Sequence, residues 1–121
     1  MTSEILVSFP FSPELKPGRL GPIYEYRHYT FRAGALPNII ERWGAKLPGR
    51  LKLSPVALAG HIEMGVANKF VHIWPYASLK QRGGIRDKAR EPGVWPPPGS
   101  ADDYFTEDTK IMLPAAFSPM Q

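Results

Sequence analysis

Ile23 to Phe31 constrains the fold more than any other stretch of this chain. It is rich in β-branched and aromatic residues and reads as a strand, yet neither of its faces looks made for water. Glu25, Arg27 and Tyr29 share one face, and Tyr24, Tyr26 and His28 share the other. A strand with one solvated face alternates apolar and polar residues more cleanly than this. The strand therefore belongs to a sheet covered on both sides, and one of the covers is polar.

The rest of the chain supplies that sheet. Gly34 ends the strand, and Leu36, Ile39, Ile40, Trp43, Leu47 and Leu51 then recur at helical spacing. Pro37 fits a first helical turn. Pro48 lacks a backbone donor and is expected to kink or break the helix, and Ser54-Pro55 closes the segment. Val56 to Met64 and Phe70 to Trp74 alternate around the turn signal Gly65 to Asn68, which predicts an antiparallel hairpin. Ser78 caps a second helix reaching Arg90, weakened at Gly83-Gly84 by about 1 kcal/mol per glycine. Glu91 to Asp103, with Trp95-Pro96-Pro97-Pro98-Gly99, reads as a stiff polyproline-like loop. Thr109 to Leu113 is the last strand. The order strand, helix, strand, strand, helix, strand predicts an α+β, ferredoxin-like βαββαβ domain. Its four-stranded antiparallel sheet carries both helices on one face, and a second copy covers the other.

Composition sets limits on function. The 121 residues, 43% of them hydrophobic, suit one domain with a real core. There is no cysteine, so disulfides and thiolate chemistry are excluded. A net charge of +4, spread along the chain, gives no footprint for nucleic acid. No run approaches the roughly 20 apolar residues of a membrane helix. The first residues do not form a signal peptide, and a cytoplasmic home is expected. Residues 1–20 read as an N-terminal extension with an extra strand, and residues 21–121 as the domain proper.

Two blocks of residues have a familiar look. Ile23-Tyr24-Glu25-Tyr26-Arg27-His28-Tyr29-Thr30 with nearby Gly34 resembles the opening pattern of the NIPSNAP family. Val71-His72-Ile73-Trp74-Pro75-Tyr76, followed by Ser78-Leu79 and Arg82, resembles its second signature, His-hydrophobic-Trp-x-Tyr with a downstream Arg. The tail Lys110-Ile111-Met112-Leu113-Pro114 through Ser118-Pro119 is similar to the family's C-terminus. The likeness runs from about Ile23 to the end, in the manner of a single-module bacterial-type member. It implies a dimeric α/β barrel: a homodimer whose two open sheets face each other around a cavity. A small organic ligand in that cavity is the function this implies, with a non-catalytic protein-interaction module as the alternative. The family has no settled reaction. No cofactor is expected. Related barrels outside the family include heme-degrading monooxygenases, heme peroxidases and small isomerases, so heme enters by fold analogy alone.

Combining the strand faces gives the candidate site. Glu25, Arg27 and Tyr29 are expected to share the sheet's far face, the one turned to the partner copy, with His61, Glu63, His72, Trp74 and Met112. Tyr24, Tyr26, Ile62, Val71, Ile73, Ile111 and Leu113, the more apolar set, are expected under the helices. Read as a ligand site, the first set offers Arg27 as anion anchor, His72 or His61 as general base or axial ligand, and Trp74 as a wall. Read as structure, it is a dimer interface with Arg27 paired to Glu25 or Glu63, and that reading carries more weight. No metal spacing is present. Arg82, Arg86 and Arg90 recur every four residues and read as a solvated helix face. Trp43 reads as core, and Trp95 as the anchor of its loop. Finally, Ile5 to Pro13 echoes Ile111 to Pro119 without a gap. The echo predicts that Glu4 to Phe9 is an ordered strand on a sheet edge, reached across the dimer.

Overall fold

The computed structural model describes residues 1–121 and contains five strands and two helices. Strand β1 spans Ile5–Ser8, β2 Ile23–Phe31, β3 Leu58–Met64, β4 Lys69–Tyr76 and β5 Tyr104–Met112; helix α1 spans Leu36–Leu51 and α2 Leu79–Arg90. The sheet order is β1-β3-β4-β2-β5, with every pairing antiparallel. Strands β2 to β5 with the two helices make the ferredoxin-like core, and β1 extends it by one edge strand. No helix is long and apolar enough to cross a membrane.

Local chemistry explains most boundaries. The Ser78 side chain accepts a hydrogen bond from the Gln81 amide at 3.0 Å, capping α2. Pro37 lies in the first turn of α1. Pro48, expected to break α1, sits inside an uninterrupted helix. Its neighbours Leu47 and Arg50 are both buried, and the packing of that last turn outweighs one lost backbone bond.

Strand β1 pairs with β3 of its own chain, not across a dimer. The β3 edge is free to accept it, and the following residues lock it down. The Phe9 amide donates to the Ala59 carbonyl at 2.9 Å, and Phe9 is buried in the main core cluster. Gly60 makes this approach feasible: a Cβ there would lie 2.4 Å from the Val7 carbonyl oxygen and 2.7 Å from Leu6 Cδ2. Gly60→Ala should therefore lift β1 from the sheet. Hydrogen exchange should show residues 5–8 losing protection while β2 and β4 keep theirs; unchanged protection would mean that the edge can shift to accept a methyl group.

The two faces of the sheet are the reverse of the sequence expectation. Cross-strand partners Arg27↔His72, Tyr29↔Phe70 and Glu25↔Trp74 lie under the helices, where Trp43 of α1 meets Phe70, His72 and Trp74 edge to face or tilted. Tyr24, Tyr26, His28, Ile62, Val71 and Ile73 form the opposite face. Met112, opposite Tyr24, joins that face, and Ile111, opposite Glu25, turns to the helices. The core is aromatic: Phe9, Tyr29, Phe31, Trp43, Phe70 and Trp74 are all buried in one cluster, and rings of this size outweigh the polar groups among them. The C-terminal tail folds over one end of the opposite face, where the Tyr24 hydroxyl donates to the Met120 carbonyl at 2.8 Å.

Candidate functional site

A pocket of about 260 Å³ opens between the helix side of the sheet, α2 and the Pro-rich loop. Strands β2 and β4 contribute Glu25, Arg27, Tyr29, His72, Trp74 and Tyr76; helices contribute Arg50, Arg86 and Arg90; Trp95 and Glu107 complete the wall. Five of the seven residues expected from the sequence thus converge: Glu25, Arg27, Tyr29, His72 and Trp74. The cavity lies within one chain, under the helices, and not between two open sheets. His61 and Glu63 stay outside it. His61 stacks on Phe9, with centroids 6.1 Å apart, and pairs with Glu63 at 3.2 Å, because β3 sits on the far side of β4 from β2.

Glu25 is fully buried and organises the arginines. Its carboxylate accepts from Arg27 Nη1 at 3.0 Å and from Arg82 Nε, and Arg86 Nη1 approaches to 3.6 Å. The arginines of α2 are therefore not a solvated stripe. Arg82 and Arg86 bind the helix to the sheet through a single acid. α2 is otherwise short of apolar anchors, with only Ile85 and Ala89 buried.

Arg50 is buried too, and no carboxylate lies within ion-pair distance of it. Its guanidinium donates to Ser54 Oγ at 2.8 Å and to the Tyr76 hydroxyl at 3.0 Å, and stacks 4.4 Å over Trp74. Burial lowers the pKa of Arg50, Arg82 and Arg86 from the ordinary arginine value, and repulsion from neighbouring arginines lowers each of them further. Four arginines line the pocket against two glutamates, an excess of two positive charges. Periodicity could place the α2 arginines on one face but could not aim that face at Glu25. Arg50 and Glu107 gave no sequence signal, Tyr76 stood out only as part of the second signature, and Trp95 only as the anchor of its loop.

Trp74 fixes the state of His72. The indole Nε1–H donates to His72 Nδ1 at 2.7 Å, so in the neutral ring the proton sits on Nε2. His72 is buried, and desolvation first, then Arg27 and Arg86, hold its pKa well below 6.5. With Nδ1 occupied and Nε2 protonated, His72 fits neither a general base nor an axial heme ligand. No group of three or more His, Asp or Glu could hold a metal ion. Burial also pushes Tyr29 up to about 12, so its hydroxyl keeps its proton.

The His72 state has a consequence for stability. The folded chain holds fewer protons than the unfolded one wherever the unfolded imidazole is charged, so stability rises with pH there. The contribution is complete above about 6.5 and is lost as pH falls below it, at up to about 1.4 kcal/mol per pH unit. Urea midpoints should drop between pH 7.5 and pH 5, and a His72→Asn variant should show a shallower slope. Identical slopes would mean that another group governs the acid limb.

A NIPSNAP family model matches residues 24–119. The chain is 32% identical to a NipSnap homolog of Dictyostelium discoideum over 77% of its length and 44% of that protein's. It is 30% identical to mouse NipSnap homolog 2 over 98% of its length and 43% of that protein's. It thus spans less than half the length of these curated relatives. Among solved structures, an Agrobacterium tumefaciens protein matches with a TM-score of 0.73 and 30% identity, over 82% of this chain and 99% of that one. A second determination of that protein describes it as a nipsnap family protein with unknown function.

Proposed function

The chain belongs to the NIPSNAP family, whose biochemical role is unsettled, and we propose that it binds a small organic anion with a flat apolar body in the pocket beneath α2. The excess of arginine charge around the pocket carries this reading, with Arg50 buried and Arg27 and Arg86 half-buried there. Burying cations without enough acids is costly, and a bound anion supplies the missing charge. Tyr29, Trp74, Tyr76 and Trp95 give the flat walls that an aromatic or planar molecule needs. A volume of about 260 Å³ suits a small metabolite. An open cavity reaching Arg27 and His72 also favours a ligand site over a purely interacting surface.

The working unit in this proposal is a homodimer formed through the face opposite the helices. That face presents partly exposed Tyr26, His28 and Ile73 beside Met112, and Leu113 follows at 76% exposure. Apolar groups of this size are costly to leave in water. Sedimentation at micromolar concentration should give twice the chain mass; a monomer there would remove the dimer from the proposal.

Native mass spectrometry of protein from its own host should reveal a retained small acid. In titration calorimetry, phenylacetate should bind at millimolar concentration. Arg86→Ala should weaken that binding by about 1.5–3 kcal/mol, the worth of a hydrogen bond to a charged group. Failure of any small aromatic acid to bind would overturn the reading.

A further inference from the structure

We propose that the ligand is a 2-oxo acid with an aromatic or apolar side chain, its carboxylate held by Arg27 and its keto oxygen by the Nε2–H of His72. This rests on the anion-site reading above and narrows it to one class of compound.

Two donors in the pocket wall lack partners. Arg27 Nε and His72 Nε2 are both buried from water and make no hydrogen bond within the protein. Both residues line the pocket. They stand directly opposite each other in the β2–β4 ladder, on the same face, where side chains of neighbouring strands are in reach of one another. Buried donors are rarely left unpaired, and two of them on facing residues of one pocket wall ask for a ligand with two acceptors.

The two donors differ in charge. Arg27 already gives Nη1 to Glu25 at 3.0 Å, which holds its guanidinium in place, and Nε remains for the ligand. His72 is an uncharged donor whose tautomer is set by the Trp74 indole at 2.7 Å. An indole N–H can only donate, so the arrangement cannot reverse without breaking that bond. One charged and one neutral donor match a carboxylate oxygen beside a carbonyl oxygen, as in a 2-oxo acid. The walls of Trp74, Trp95 and Tyr29 receive the side chain.

Benzoylformate and phenylacetate test this, because they share a skeleton and differ by a carbonyl in place of a methylene. In calorimetry at pH 7.5, benzoylformate should bind more tightly on the order of ten- to a hundredfold, since phenylacetate leaves the His72 donor unpaired. The unmutated protein gives a second readout. It has only three histidines, and long-range proton–nitrogen spectra should show His72 with its proton on Nε2, shifting on addition of benzoylformate and staying put with phenylacetate. In Trp74→Phe the nitrogen pattern should lose its fixed tautomer, and the affinity ratio should fall toward one. Equal affinities in the unmutated protein would overturn the 2-oxo acid assignment and leave the anion site standing, with the neighbouring rings satisfying Nε2–H. A proton on Nδ1 would overturn it as well. If neither acid binds, both the assignment and the anion site fall.

Discussion

Glu25→Ala should destabilise the fold by about 3–5 kcal/mol, the usual cost of removing one partner from a buried ion-pair group. Glu25 is fully buried and is the one carboxylate shared by Arg27, Arg82 and Arg86. Its loss leaves three guanidiniums crowded together with no opposite charge among them. It also cuts the polar tie between α2 and the sheet, where Ile85 and Ala89 supply the only fully buried contacts. Denaturant titration should show the lower midpoint, and hydrogen exchange should show α2 opening before the β2–β4 ladder. Sulfate should restore part of the loss, because an anion can take the place of the missing carboxylate. Asp87→Ala is the matching control. The Arg90–Asp87 pair spans 3.8 Å with side chains 59% and 80% exposed, and surface pairs of this kind contribute little, so the midpoint should hold. Similar midpoints for the two variants would show that water, and not Glu25, compensates the arginines.

The order of elements was legible because each segment carries its own period: two in β2 to β4, and three to four in α1. The NIPSNAP signatures were legible for the same reason, since they sit inside those segments. Assignment of the faces failed. Parity tells which residues share a face but not which face the helices cover. Glu25, Arg27 and His72 look too polar for a helix-packed side. Phe31 and Phe70 share parity with Tyr29 and His72 and are almost completely buried. With them, this face is an aromatic core with a polar pocket at one end. Trp43 closes that core from α1, meeting His72 at 4.7 Å and Trp95 at 4.7 Å.

What stayed hidden was contributed by residues without a period. Trp95 reaches the pocket from a Pro-rich loop whose path no local rule predicts. Arg50 lies in the last turn of α1, where a basic residue ordinarily complements the helix dipole at the surface. Here it turns inward to Ser54, Tyr76 and Trp74. The α2 arginines differ again: their spacing was visible, and the missing fact was that Glu25 faces them across the sheet–helix boundary.

Phe9→Ala should cost about 3–5 kcal/mol, the range for truncating a large buried aromatic side chain. Phe9 follows β1 and would ordinarily count as part of a dispensable leader. In the fold it is 2% exposed and sits in the main core cluster. Its ring meets Trp43 at 6.4 Å, Phe70 at 6.1 Å, Phe11 at 5.5 Å and His61 at 6.1 Å. Removing it opens a cavity beside Trp43, the residue that also closes the core over His72. The same change loosens β1, whose four residues pair only with β3 and are mostly exposed. Without the Phe9 anchor the strand has little apolar burial to offset its ordering entropy. Equilibrium unfolding should therefore show the loss in stability, and hydrogen exchange should show residues 5–8 opening in the same variant. Val7→Ala, on β1 but 43% exposed, should do neither to a comparable degree. If Phe9→Ala melts like the parent chain, the first twenty residues are a detachable extension, and the aromatic core closes without them.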